Sequence, residues 1–458
     1  MKKIIILSLA CLFSFMGFSQ NDGINSQMLE KIKQGYTKTA QNKALRNAIA
    51  NNSIDKLVVN LDNQANYNTY FSNRVKSKGI SDQKSSGRCW MFSGFNVLRS
   101  EMISKYNLGE FEFSHNYLFF YDQLEKSNLF LSLIIKHKNE PLDSKHNDWL
   151  LKNVLSDGGQ FTGVSDLVMK YGLVPSSVQP ETYNSDNTRT ISNLITLKLK
   201  EYALELRDTK KDIDTKKVEM LSTIYRMLVL AYGEPVTEFT YTLRDANNKE
   251  ISTDKYTPKS FYDKFIGKDL TKTYVMFMND PTRPYNKLYE IENDRHVADG
   301  FNWRYINLPI EDIKEMAIAS IKDSIMMYFS CDVGKFYNGQ KGLLDVNNYD
   351  YSSLMGTSFS MDKTQRIKTF ASGSSHAMTL CAVDLNKENK PNKWLVENSW
   401  GSSAGWQGHL IITDEWFNEY MFRLVVDKKY VPSKILNILN QEPIMLPSWD
   451  PMFSEDID

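Results

Sequence analysis

Cysteine is scarce in this chain: four among 458 residues, one of which, Cys11, lies inside an apolar N-terminal run. The three that follow, Cys89, Cys331 and Cys381, are too few for a disulfide framework. A bridge between Cys331 and Cys381, both in apolar surroundings, stays open. Histidine is as sparse, at six, and neither Cys-x-x-Cys nor His-x₃-His spacing occurs, so neither a metal nor a cofactor is expected. Net charge is missing too. With 55 basic against 55 acidic side chains there is no global field to draw the protein to nucleic acid or an anionic membrane. Internal repeats and low-complexity tracts are absent.

Long hydrophobic runs are absent except at the start, where Met1–Gln20 has a short cationic lead, an apolar stretch and small residues at Gly17 and Ser19. That pattern reads as a secretory signal peptide over residues 1–20, cleaved after Ser19 or Gln20. The run is shorter than the roughly 20 residues a spanning helix needs, so no stable membrane anchor is expected after cleavage. Ser8 stands where a lipidation site at Cys11 would carry an aliphatic residue. The expected location is outside the cytoplasm, periplasmic or secreted. The mature chain is long enough for about two to three domains with an ample core.

Chemistry enters with Cys89, in Gln83-Lys84-Ser85-Ser86-Gly87-Arg88-Cys89-Trp90. Apolar residues at 91/92, 95, 98 and 102 have helical spacing, and Ser85-Ser86-Gly87 before them is loop-like. Cys89 is therefore expected to open a helix, where unsatisfied N–H groups and the dipole favour a thiolate. Far downstream stand Ser375-His376-Ala377 and Glu397-Asn398-Ser399-Trp400-Gly401. A thiol, an imidazole that takes its proton and an amide oxygen that holds the imidazole make an acyl-transfer site. His115 is the competing base, but it begins an aromatic helical run, Tyr117-Leu118-Phe119-Phe120-Tyr121, and is read as structural.

These motifs resemble the papain-type cysteine peptidases and, more closely, the bleomycin hydrolase/aminopeptidase C family. The papain group has Gln six residues before its nucleophile, the position of Gln83 here, which the resemblance makes an oxyanion donor. Trp400 matches the indole that covers the Asn-His pair. Ser86 stands where papain has a further cysteine, which removes a disulfide partner and leaves the chemistry intact. Papain-like enzymes place His and Asn about 130–150 residues after the Cys; the interval from Cys89 to His376 is roughly twice that, so a large insertion is expected. Family-like segments run through it, among them Asp157-Gly158-Gly159-Gln160-Phe161 and, near the end, Leu446-Pro447-Ser448-Trp449-Asp450-Pro451-Met452.

The expected fold is thus α+β: a papain-like two-lobed peptidase, one lobe helical and one built on a sheet, with a large, mostly helical insertion. The divisions read as an N-terminal arm over 21–60, the helical lobe with the nucleophile over 61–121 and the insertion over 122–300. The sheet lobe with His and Asn covers 301–445 and a C-terminal tail 446–458. Within the insertion, helices are expected over Ile191–Leu206 and Val218–Ala231. A hairpin is expected around Asp245-Ala246-Asn247-Asn248, then a helix capped by Thr257 with Pro258 first. Later come a helix over Pro309–Lys322, a strand over Ile325–Ser330, and strands ahead of Asn398 and from Ala377.

The resemblance implies a cysteine aminopeptidase acting on short peptides, assembled as a homohexamer. Alternatives are an oligopeptide endopeptidase of the same fold, or an idle peptide-binding protein that keeps the cleft. It also implies a C-terminus that enters the cleft and meets the substrate's amine. Here the tail ends Phe453-Ser454-Glu455-Asp456-Ile457-Asp458, acidic where the family tail is small and apolar, so Glu455, Asp456 and Asp458 become candidates for an amine gate.

Overall fold

The computed structural model describes residues 23–63 and 68–453. The signal-peptide segment 1–20 and the acidic tail residues Glu455, Asp456 and Asp458 lie outside the described residues. Helices over Ser26–Gln34 and Ala40–Asn51 form the N-terminal arm, each capped by a side chain, Asn25 and Thr39, that accepts from a backbone N–H of the first turn. Neither buries a residue.

The central element is a twelve-stranded sheet. Its middle is antiparallel: Tyr274–Met278, Met421–Asp427, Met327–Cys331, His376–Leu385, Pro391–Glu397 and His409–Thr413 lie side by side in that order. Alternation along these strands makes two cores, as a two-residue side-chain period requires. Ala377, Tyr328, Phe422 and Val425 face a helical core that includes Cys89, Phe95 and Phe119. Met378, Leu380, Phe329 and Leu424 face a second core with Ile313, Met316 and Phe417.

The helix Cys89–Tyr106 packs on the His376–Leu385 and Met327–Cys331 strands, and it is buried on all sides over its first three turns. The insertion contributes helices Phe161–Tyr171, Arg189–Asp208 and Ile213–Tyr232, the last two joined by a turn in which Asp212 takes φ 56°. The hairpin pairs Phe239–Arg244 with Glu250–Tyr256, and Thr257 caps the helix Pro258–Phe265 in a capping box. Pro309 caps the helix Ile310–Lys322 rather than opening it, and the following strand is Met327–Cys331, shifted from the expected start at Ile325.

One boundary needs correction. The insertion was expected to run to residue 300, yet the strands Tyr274–Met278 and Lys287–Ile291 belong to the main sheet, the first paired with Met421–Asp427. Met421–Asp427, the antiparallel partner of Tyr274–Met278, lies more than a hundred residues downstream, and Ile444–Leu446, the parallel partner of Lys287–Ile291, is as distant, information that a local apolar pattern does not carry. No disulfide joins the three described cysteines. Cys381 is fully buried, its Sγ 3.4 Å from the Leu395 carbonyl, and burial pushes its thiol pKa up.

Candidate active site

Arg88 is the last non-helical residue before Cys89, so the thiol projects from the first turn, where backbone N–H groups have no partner within the helix. Arg88 itself is fully buried. Its Nη1 lies 2.9 Å from Glu181 Oε2 and its Nε donates to Ser86 Oγ at 2.9 Å, while its guanidinium stacks over Phe92 and Phe119. These contacts pin the residue that sets the direction of the helix start.

His376 is the first residue of its strand and Asn398 follows the last residue of the neighbouring one. His376 Nε2 and Asn398 Oδ1 are 2.8 Å apart, both residues buried. The Ser399 N–H donates to the same Oδ1 at 2.8 Å, which fixes it as the acceptor. Nε2 therefore carries the ring proton and Nδ1 is the nitrogen with a lone pair to offer. The Trp400 indole stacks on the imidazole with centroids 4.9 Å apart and planes at 27°, shielding the His-Asn bond from water.

Gln83 joins this group through Ser399. Ser399 Oγ donates to Gln83 Oε1 at 2.6 Å, and the Gln83 N–H donates to the Ser399 carbonyl at 2.8 Å. Gln83 Nε2 donates one hydrogen to the Ser86 carbonyl at 2.7 Å, and an amide NH₂ has a second to give. Asp82 bridges to Trp400, and the Gly401 N–H donates to the Ser81 carbonyl. The loop that precedes Cys89 is thus laid onto the loop that follows Asn398. On the other side of the helix start, Thr379 Oγ1 lies 3.3 Å from the Ser93 carbonyl, one turn beyond Cys89 and three residues beyond His376. Gln83, His376, Asn398 and Trp400, spread over more than three hundred positions, are thereby linked by direct contacts, and the helix that Cys89 opens packs on the His376 strand.

Three residues of this neighbourhood carried no separate signal in the sequence. Ser399 is one. The second is Asp157, whose carbonyl accepts from Trp90 Nε1 at 2.8 Å and whose carboxylate lies 3.4 Å from the Gly87 N–H. The third is His296: its Nδ1 is 2.5 Å from the fully buried Asp122 carboxylate, and its ring edges against Trp90 at 4.6 Å. A Cβ on Gly159 would fall 2.2 Å from that ring, so only glycine fits beside it. The quoted segment Asp157-Gly158-Gly159 was the available clue.

His115 lies apart from this chemistry. It stacks on Phe92 with centroids 3.5 Å apart and planes at 9°. Burial first, then the nearby Arg88 and Arg99, hold its pKa well below the ordinary range, so it stays neutral.

The sequence model of the peptidase C1-like family matches residues 23–453. The chain belongs to that family. This C1-like peptidase is 38% identical over 450 residues to the bleomycin hydrolase of Mus musculus, an alignment covering 94% of this chain and 98% of the relative. It is 36% identical over 439 residues to the aminopeptidase C of Streptococcus thermophilus, with the same coverage. The crystal structure of pepw from Lactobacillus rhamnosis HN001 superposes with a TM-score of 0.91 at 37% identity, covering 94% of this chain and 99% of that one. The papain-like α+β fold expected from the sequence is the fold observed, and the enzyme is a cysteine peptidase.

Proposed function

We propose that this peptidase is a cysteine aminopeptidase that removes residues from the amino terminus of short peptides. Cys89 attacks the carbonyl as thiolate, and His376 gives the proton it has taken to the leaving amine. Water activated by the same imidazole then releases the acyl group from sulfur. Asn398 holds the ring in the tautomer that leaves Nδ1 for this traffic, and the second Gln83 amide hydrogen, with the Cys89 N–H, receives the oxyanion. The observation that carries the reading is the relay His376–Asn398–Ser399–Gln83, which ties base, orienter and oxyanion donor into one rigid unit. Cys89→Ala should abolish hydrolysis with the fold intact, and iodoacetamide at neutral pH should label Cys89 in step with loss of activity. Unchanged turnover in Cys89→Ala would end the reading.

The preference for a free amine is assigned to the C-terminal tail. Its last described residues are anchored: Arg283 Nη2 lies 2.5 Å from Asp450, Arg423 Nη2 donates to the Met452 carbonyl at 3.0 Å, and Phe453 edges against Trp149. Phe453 lines a cavity of about 480 Å³ together with Ser156, next to the Asp157 that touches the loop before Cys89. The candidate amine gate is the acidic sequence beyond Phe453, with Glu455, Asp456 and Asp458, because an ammonium in a narrow cleft gains more from carboxylates than in bulk water. Deleting Ser454–Asp458 should lower cleavage of unblocked dipeptides and raise cleavage of N-acetylated ones. An unchanged ratio would remove the tail from the mechanism.

Two further readings complete the proposal. The enzyme is exported, periplasmic or secreted, on the strength of the Met1–Gln20 pattern; N-terminal sequencing of the mature protein tests it. It is a homo-oligomer, a hexamer by family likeness. Leu194, Leu197 and Leu204 on one helix and Val218 and Leu230 on the next, all exposed in the single chain, support an assembly surface there. Light scattering gives the oligomer's mass.

A further inference from the structure

The far end of the helix His115–Lys136 carries a side-chain cluster that the peptidase chemistry does not use. His137 caps that helix, Glu140 follows in the turn, and His146 stands in the first turn of the next helix, Lys145–Lys152. His137 Nδ1 lies 2.7 Å from Glu140 Oε1, and His146 Nδ1 lies 3.2 Å from Oε2. The two imidazoles stack with centroids 4.5 Å apart and planes at 19°. One ligand atom from each of the three residues falls within 4.8 Å of the others. His137 is buried, whereas His146 and Glu140 keep 35% and 38% of their side chains exposed, so one side of the cluster faces water.

We propose that His137, Glu140 and His146 form a binding site for a divalent transition ion of the zinc class, with water completing the shell. Two imidazoles and one carboxylate suit such an ion and not Mg²⁺ or Ca²⁺, which take oxygen ligands throughout. With bonds of about 2.0–2.2 Å, ligand atoms around a tetrahedral ion stand about 3.3 Å apart. The two Nδ1–oxygen contacts, 2.7 and 3.2 Å to opposite oxygens of one carboxylate, would open by about 0.1–0.6 Å, and side-chain rotation would bring the three ligand atoms, now within 4.8 Å of one another, to that spacing. Ser144 Oγ donates to Glu140 Oε2 at 3.0 Å, which orients the carboxylate from behind. A ligating Nδ1 carries no proton, so each ring binds the ion with its proton on Nε2.

The site has a structural reach. The edge of Trp449 lies against His146, ring centroids 5.4 Å apart, and the Lys145 ammonium sits 4.4 Å from the centre of the same indole. An ion that fixes the His146 ring also fixes the seat of Trp449, four residues ahead of the Phe453 that enters the cavity. The ion therefore steadies the start of the C-terminal tail and takes no part in peptide hydrolysis.

The test uses the full chain, freed of metal by chelation and alkylated at Cys89 with iodoacetamide, because an active-site thiolate and imidazole bind the same ions. Failure of this test is thus separate from failure of the peptidase reading. Titration with Co²⁺ should give visible d–d absorption saturating at one ion per chain, with affinity reduced about tenfold or more in His146→Gln and in Glu140→Gln. Zn²⁺ should raise the melting temperature of the parent and not of His146→Gln, whose half-exposed site tolerates the change. No saturable binding, or equal affinity in parent and both variants, would overturn the site.

Discussion

Replacing Ser399 by alanine isolates the orientation of Gln83 from its presence. The Ser399 hydroxyl donates to Gln83 Oε1 at 2.6 Å, with both residues 2% exposed or less. Removing it leaves a buried carbonyl oxygen without a donor, which costs about 1–3 kcal/mol of folding stability. The backbone bond from the Gln83 N–H to the Ser399 carbonyl and the bond from Gln83 Nε2 to the Ser86 carbonyl remain, so the loop keeps its place and only the amide loses one of two anchors. We expect kcat to fall about tenfold, the equivalent of ~1.4 kcal/mol, with KM little changed. Gln83→Ala should cost about 10²–10³ in kcat. Urea denaturation and steady-state hydrolysis of an aminoacyl fluorogenic substrate read the two effects. A variant that loses stability but keeps full kcat would show that the Gln83 amide does not need to be held, and the oxyanion assignment would fall with it.

Gly159→Ala forces a Cβ to 2.2 Å from His296 and 2.7 Å from Trp90, neither able to yield while Asp122 and the Asp157 carbonyl hold them; a loss of about 1–3 kcal/mol or more in denaturant midpoint, with reduced kcat/KM, is expected. Arg99→Ala strands the Glu397 carboxylate, now 2.6 Å from the guanidinium and fully buried, and should destabilise by about 3–5 kcal/mol, whereas the double change Arg99→Met, Glu397→Gln should recover part of it. Asp166 has its pKa raised to about 6, chiefly by burial. A raised folded-state value means its stabilising protonation is complete below the unfolded value near 4 and is lost as pH rises through about 6. Asp166→Asn should flatten the stability–pH curve between pH 4 and 6, and an unaltered slope in thermal melts across that range would contradict it.

The sequence made local features legible and left distant ones hidden, for a physical reason. Helix periodicity and capping act within a few residues, which is why the Cys89 helix start, the Asp245 hairpin turn and the Thr257 cap could be placed. Strand partners are chosen by tertiary packing, so nothing in Tyr274–Met278 discloses its pairing with Met421–Asp427, and the insertion boundary was misplaced accordingly. The site divides the same way. Cys89, Gln83, His376, Asn398 and Trp400 stand in motifs with fixed spacing. Ser399, Asp157 and His296 matter through single contacts to residues far away in the chain, and serine, aspartate or histidine at such positions looks ordinary until the fold brings the partner near. The His137–Glu140–His146 cluster escaped for a related reason: its spacing matches no metal motif, and only the turn between two helices brings its ligand atoms together.

The central claim, a cysteine aminopeptidase, is tested most directly by a mass-spectrometric time course on one peptide supplied with a free and with an acetylated amino terminus. The account predicts that the unblocked peptide loses residues one at a time from its amino end, that the acetylated peptide persists, and that Cys89→Ala leaves both untouched. Internal cleavage of both peptides at similar rates would contradict it and make the enzyme an endopeptidase.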